Sequence, residues 1–168
     1  TPAILTQPKE KLIKNGSSGS TGEQTIVYWS KKEQTINRAT QMLWWKWANY
    51  TIGDLLIQTG ITPNRIGLKK YKDFFFRTKY IQAFSHDSKE IALFLKSLNP
   101  KKEYTLAGYA SSLFVFSKIA KENNIDVKIK SAISWGDKLF AHYRTSIFEA
   151  FGCKTYETYG SAEGLMIG

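Results

Sequence analysis

Residues 104–135 read YTLAGYASSLFVFSKIAKENNIDVKIKSAISW, and this stretch decides the fold class. Tyr104 to Ala107 is a compact apolar run of strand character. Leu113, Phe116 and Ala120 then recur at helical spacing, setting a buried stripe that ends near Asn123 and Asn124. In Val127, Ile129, Ser131, Ile133 and Trp135 the period drops to two, which is the period of a strand. Strand, helix and strand with short connections require a parallel pair joined by a helical crossover.

Working outward, the same alternation continues. Phe140, Tyr143, Ile147 and Phe151 predict another helix, closed by Gly152 in the position that favours a left-handed residue. Upstream, Asp87 with Glu90 three residues on predicts a helix start, and Ile91, Phe94, Leu95 and Leu98 mark its apolar face before Pro100. Asp54 to Gln58, between Gly53 and Gly60, reads as a buried strand. Ser30 and Glu33 form a capping box for a helix whose Ile36, Thr40, Leu43, Trp47 and Tyr50 repeat at spacings of four and three. Trp44, Trp45 and Trp47 on that helix are expected to pack the core on one side and snorkel on the other rather than line a substrate pocket. The expected class is therefore α/β, with a largely parallel sheet and crossover helices, and ligands are expected beyond the carboxyl ends of its strands.

The bulk composition is that of a globular chain: 168 residues, 42% hydrophobic and 14% aromatic, enough for a substantial core. Twenty-four Lys and Arg against fourteen Asp and Glu give a formal charge of +10, which favours anionic partners without choosing among them. The single cysteine, Cys153, excludes an internal disulfide, and with only two histidines a zinc site of the usual kind is not expected. His86 and His142 stand apart from any nucleophile, so neither supports a hydrolytic triad. No apolar run is long enough to span a bilayer and no signal-like segment opens the chain, so a soluble protein of a reducing cytoplasm is expected. The start at Thr1 and the stop at Gly168, just after a Gly-containing turn, lead us to expect a piece of a longer protein.

Two loops carry the chemistry. Between a mixed segment from Lys9 to Asn15 and the strand-like Thr25 to Trp29 lies Gly16-Ser17-Ser18-Gly19-Ser20-Thr21-Gly22. Such a run can turn backbone N–H groups and hydroxyls inward around a polyphosphate. It is not a Walker loop, since Glu23 and Gln24 follow Gly22 where that motif needs Lys and Ser or Thr leading into a helix. On composition alone, a flexible hairpin loop or linker fits equally well. The second loop, Tyr159-Gly160-Ser161-Ala162-Glu163, comes after the last strand signal, and singly it reads as a turn.

Taken together and in this order, the two loops resemble the motifs of adenylate-forming (AMP-binding) enzymes. Ser17 to Gln24 is similar to their Ser/Thr-rich phosphate loop, with Gln24 where the family has proline. Tyr159 to Glu163 is similar to their Tyr-Gly-x-Thr/Ser-Glu element, with Ala162 where a hydroxyl residue is usual. Gly108-Tyr109-Ala110-Ser111-Ser112-Leu113 and residues 131–151 further resemble the branch of phenylacetate-CoA ligases and CapK-type capsular polysaccharide proteins.

The resemblance covers most of residues 15–165 and implies that residues 1–168 are a partial N-terminal ATP-binding region of an adenylation domain. It implies that Ser17, Ser18, Gly19, Ser20, Thr21 and Gly22 contact ATP phosphates, and that Trp135, Gly136 and Asp137 flank adenine. It further implies that Tyr159 stacks on that base, that Gly160 and Ser161 also belong to the nucleotide site, and that Glu163 ligates Mg²⁺. Phe84, Ser85, Gly108 and Tyr109 become candidate contacts for the carboxylic acid substrate. The implied reaction is formation of an acyl-adenylate from ATP and the acid, with transfer to CoA or another acceptor. The catalytic lysine is expected outside this chain, so the piece alone should be inactive, and a homodimer is possible.

Two rival readings remain open. One keeps adenylation but transfers AMP to a cofactor or metabolite. The other is a non-enzymatic module for nucleic acid or an anionic surface, resting on Arg65, Lys69, Lys70, Lys72, Arg77 and Lys79 interleaved with Tyr71, Phe74, Phe75, Phe76 and Tyr80. The favoured expectation for that stretch is a solvated cationic helix whose aromatics cover the sheet, with no specific nucleic acid partner.

Overall fold

The structure is a computed structural model of the chain, and it describes residues 8–16, 26–60, 68–82 and 87–160. It divides into two compact units, Thr1–Trp44 with Tyr159–Gly168, and Trp45–Thr158. In the first unit, β1 (Ile13–Gly16) pairs antiparallel with β2 (Ile26–Trp29). Strands thus flank the Gly/Ser run as expected, and the run itself lies outside the described residues.

Helix α1 (Lys31–Trp47) starts in the first unit and ends in the second. Its capping box forms as the sequence requires: Ser30 N–H donates to Glu33 Oε2 at 2.7 Å, and Glu33 N–H donates to Ser30 Oγ at 3.2 Å. The apolar face differs from expectation. Ile36, Leu43 and Trp47 are half or more exposed, and Trp45 is the residue that buries. Trp45 thus takes the core side expected of these tryptophans and Trp47 the outer side, while Ile36 and Leu43 are exposed because helical spacing selects a face without saying what will cover it.

The second unit is built on a five-stranded, all-parallel sheet of β3 (Leu55–Gly60), β4 (Thr78–Gln82), β5 (Tyr104–Tyr109), β6 (Ile129–Trp135) and β7 (Lys154–Glu157), in the order β4-β3-β5-β6-β7. Four helices join consecutive strands: α2 (Leu68–Phe75), α3 (Ser88–Lys96), α4 (Ala110–Glu122) and α5 (Ala141–Phe151). Local signals set their ends. The Asp87 side chain accepts from Lys89 N–H at the start of α3, and Gly152 closes α5 at φ 65°, a left-handed conformation costly for any residue with a Cβ.

Helices α3, α4 and α5 share one core with the sheet. Ile91 and Leu95 of α3, Leu113, Phe116 and Ala120 of α4, and Ile147 of α5 pack with Ile57, Leu106 and Ala132 of the strands. Each large side chain buried there is worth about 1.5–3 kcal/mol relative to exposure. The stripe expected at Leu113, Phe116 and Ala120 is fully buried, as read from the sequence. The alternation expected in β6 is not a burial alternation. Ser131, Ala132, Ile133 and Ser134 are all buried, because both faces of the sheet are covered. On the second face Trp45 stacks on Trp135, with ring centroids 5.8 Å apart and planes 13° apart, and meets Tyr50 edge-on at 5.3 Å.

The connection β3-α2-β4 runs across the sheet one way, whereas β4-α3-β5, β5-α4-β6 and β6-α5-β7 run the other way. Right-handed crossovers then place α2 on the face opposite α3, α4 and α5. The strand order reverses between β3 and β5, and in open parallel sheets the crevice beyond that reversal is where ligands bind.

Candidate functional site

At the carboxyl ends of β3, β5 and β6 the chain places Gly60, Gly108 and Gly136, one glycine for each strand end. None of these can take a side chain without moving a packed neighbour. A Cβ on Gly108 would run into the Oγ1 and Cβ of Thr59, which is itself fully buried. A Cβ on Gly136 would lie 2.5 Å from Tyr109 Cε1, and Gly136 also sits at φ +84°. At Gly60 the contact is with the ring and hydroxyl of Tyr80. Two tyrosines thus lie against two glycines at the strand ends, Tyr80 of β4 against Gly60 of β3 and Tyr109 of β5 against Gly136 after β6.

Tyr109 is the last residue of β5 and also the N-cap of α4, but its side chain makes no capping hydrogen bond. The capping group comes from another loop. Asp137 Oδ1 accepts from Ala110 N–H at 2.6 Å, and Oδ2 accepts from Ser111 N–H at 2.9 Å. A carboxylate at this position satisfies two amides that the helix leaves open and meets the positive end of its dipole. The turn after β6 is thereby tied to the start of α4.

The same turn is fixed at its far side, where Leu139 N–H donates to Glu157 Oε1 at 3.3 Å. Beyond β7, Thr158 N–H and Oγ1 both donate to Ser134 C=O, at 2.9 and 3.0 Å. Burial pushes the Tyr109 phenol above its ordinary range, and the Asp137 charge and the neighbouring Tyr80 push it the same way. The phenol is therefore neutral at physiological pH and keeps its proton for hydrogen bonding.

Among the sequence candidates, Gly108, Tyr109, Trp135, Gly136 and Asp137 come together on adjacent strand ends, with Gly108 opposite Ser134 and Tyr109 opposite Trp135. Tyr159 and Gly160 belong to the first unit, where both are exposed. Ser17, Ser18, Gly19, Ser20, Thr21, Gly22, Phe84, Ser85, Ser161 and Glu163 lie outside the described residues. Sequence reasoning missed Thr59, Gly60, Tyr80 and Glu157. Gly60 was noted only as the boundary of a strand, and its neighbours depend on a pairing order that local patterns do not encode. Surface grooves of about 380 Å³ lie elsewhere, one lined by Ala92, Leu93 and Lys96 and another by Arg144, Phe148 and Thr155. Neither groove contains residues of the strand-end edge.

No family model matches the chain. A curated relative, Protein CapK of Staphylococcus aureus, is 25% identical over 175 aligned positions, covering 96% of this chain and 37% of the relative. Among solved structures, an open conformation of 2-hydroxyisobutyryl-CoA ligase in complex with 2-HIB-AMP and CoA matches 93% of this chain and 35% of its own, with a TM-score of 0.61 and 17% identity. ATP-bound MatB from Rhodopseudomonas palustris matches 96% of this chain and 31% of its own, with a TM-score of 0.58 and 17% identity. The chain spans about a third of the length of these relatives. Its fold is that of the N-terminal domain of adenylate-forming ligases, and the expected resemblance to the CapK branch is met.

Proposed function

We propose that this relative of CapK, with the fold of an adenylate-forming ligase's N-terminal domain, forms part of the ATP-binding region of an enzyme that activates a carboxylic acid as its acyl-adenylate. The observation that carries this reading is the edge at the carboxyl ends of β5 and β6, beside the β3/β5 reversal, where Tyr109, Gly136 and Asp137 meet. It occurs in a chain whose structural neighbours hold ATP, or an AMP-containing ligand with CoA.

In this reading the Trp135-Gly136-Asp137 turn receives adenine. Gly136 lets the Tyr109 ring lie against the backbone of the turn, while Asp137 holds the turn in place through α4 rather than touching the nucleotide. The Ser17–Gly22 loop supplies backbone and hydroxyl donors to the phosphates, and Tyr159 stacks on the base. An oxygen of the acid's carboxylate attacks the α-phosphorus, and the bond to pyrophosphate breaks. Donors placed around the departing phosphates stabilise the charge that develops there.

Among the described residues no group of three acidic or histidine side chains could hold a metal by itself. Glu163 would hold a magnesium ion, whose chemistry would be to neutralise charge on the leaving group. In this reading Tyr109, whose phenol stays protonated, contacts the acid or the adenylate as a neutral group rather than as a base. A second step, transfer to CoA or another acceptor, belongs to the intact protein. The test is thermal protection of the intact protein by ATP with Mg²⁺. Protection that disappears in Glu163→Ala is expected, and absence of protection in the unsubstituted protein overturns the proposal.

A further inference from the structure

Helix α2 turns an aromatic ridge to solvent. Tyr71, Phe74 and Phe75 are 76%, 87% and 78% exposed, and their spacing of three and four puts them side by side on the helix. The expectation that these rings cover the sheet is therefore overturned. Helix α2 packs on the edge strand β4, on the face that right-handed crossovers set opposite α3, α4 and α5, and among the described residues none covers these three rings. Scattered exposed apolar residues are ordinary, but contiguous rings on one turn mark an interaction surface. The surroundings are cationic: residues 69–79 contain five Lys and Arg and one acid, and Lys72, Arg77 and Lys79 are exposed.

We propose that this ridge docks on an anionic lipid surface, with the rings entering the boundary between headgroups and acyl chains and the cations meeting headgroup anions. The charge complementarity is local as well as global, given the +10 of the whole chain. Docking in the plane of the surface is the mode that fits, since no helix among the described residues is long and apolar enough to cross a membrane. Single-stranded nucleic acid fits the ridge less well. Base stacking needs open ring faces along a groove, whereas Phe75 and Phe76 meet edge to face, at 5.4 Å and 88°. Phenylalanine rings, having no polar atom, suit the acyl boundary.

The experiment is sedimentation of the intact protein with vesicles of equimolar phosphatidylglycerol and phosphatidylcholine, and with phosphatidylcholine alone. Binding to the anionic vesicles only is expected, weakening as salt is raised. The variant Phe74→Ala/Phe75→Ala should lower partitioning by at least about tenfold, and Lys72→Glu/Lys79→Glu should lower it as well. Both pairs are exposed, so neither change should disturb folding. Failure to sediment, equal binding to neutral vesicles, or undiminished binding by the phenylalanine variant overturns the proposal. So does single-stranded RNA binding that the phenylalanine variant loses while vesicles are ignored. A lowered melting temperature, or dissociation of a dimer, in the phenylalanine variant also overturns it, because the ridge is then covered by protein. The readout uses no nucleotide, so it stands apart from the adenylation test.

Discussion

Replacing Asp137 by Ala removes both oxygens that cap α4, and its cost follows from the geometry. Loss of an N-cap side chain costs about 0.5–2 kcal/mol. Removing a negative charge from a helix N-terminus adds about 0.3–1 kcal/mol. The two contacts, at 2.6 and 2.9 Å, are short enough to place the sum near the middle of these ranges, about 2 kcal/mol. For a chain of this length that corresponds to a fall of about 4–8 °C in melting temperature.

The residue reaches α4 from 26 and 27 positions away, so its loss should also release the turn after β6. Thermal unfolding followed by circular dichroism reads the global cost. Hydrogen exchange at the Ala110 and Ser111 amides reads the local one and should accelerate more than exchange at mid-helix Phe116. Asp137→Asn, which keeps one acceptor oxygen, should fall between the two. An unchanged melting temperature with unchanged exchange at both amides would refute the assignment of Asp137 as the cap of α4.

Other expectations follow from the same structure. Gly108→Ala should destabilise by about 2 kcal/mol through overpacking against Thr59, and Thr59→Ala in the same chain should recover part of that loss in urea unfolding. Burial alone would raise the Asp54 pKa, but hydrogen bonds from Lys130 and the Thr51 amide, with the charges of Lys130 and Arg77, leave it lowered. Its contribution is therefore present above the unfolded carboxylate pKa of about 4 and is lost as pH falls through the lower folded value, so Asp54→Asn should flatten the acid limb of stability against pH. Burial pushes the Cys153 thiol up to about 11, and thiol-specific reagents at pH 8 should react with it only after unfolding.

What the sequence discloses about this fold is what local chemistry decides. Ser30 and Glu33, Asp87, and Gly152 mark helix ends by interactions within a few residues, and all of them form. The stripe of α4 is legible because Leu113, Phe116 and Ala120 meet a core made mostly of neighbouring crossovers. Two apolar faces are misread for one reason. Ile36 and Leu43 on α1, and Tyr71, Phe74 and Phe75 on α2, have the spacing of buried residues, yet nothing in that spacing supplies a partner.

The site was legible in part. The Trp135–Asp137 turn and Gly108-Tyr109 could be singled out by motif, whereas their closure by Asp137, Glu157, Thr59 and Tyr80 depends on long-range pairing. The reversal between β3 and β5 is likewise a property of strand order, which no local pattern records.

The central claim is tested most directly by photolabelling the intact protein with an azido-adenine analogue of ATP in the presence of Mg²⁺ and mapping the modified peptide. The account predicts label on residues 134–139 or on the peptide containing Tyr159, suppressed by excess ATP. Label confined to the cationic segment 69–79, or label that ATP does not suppress, would contradict it.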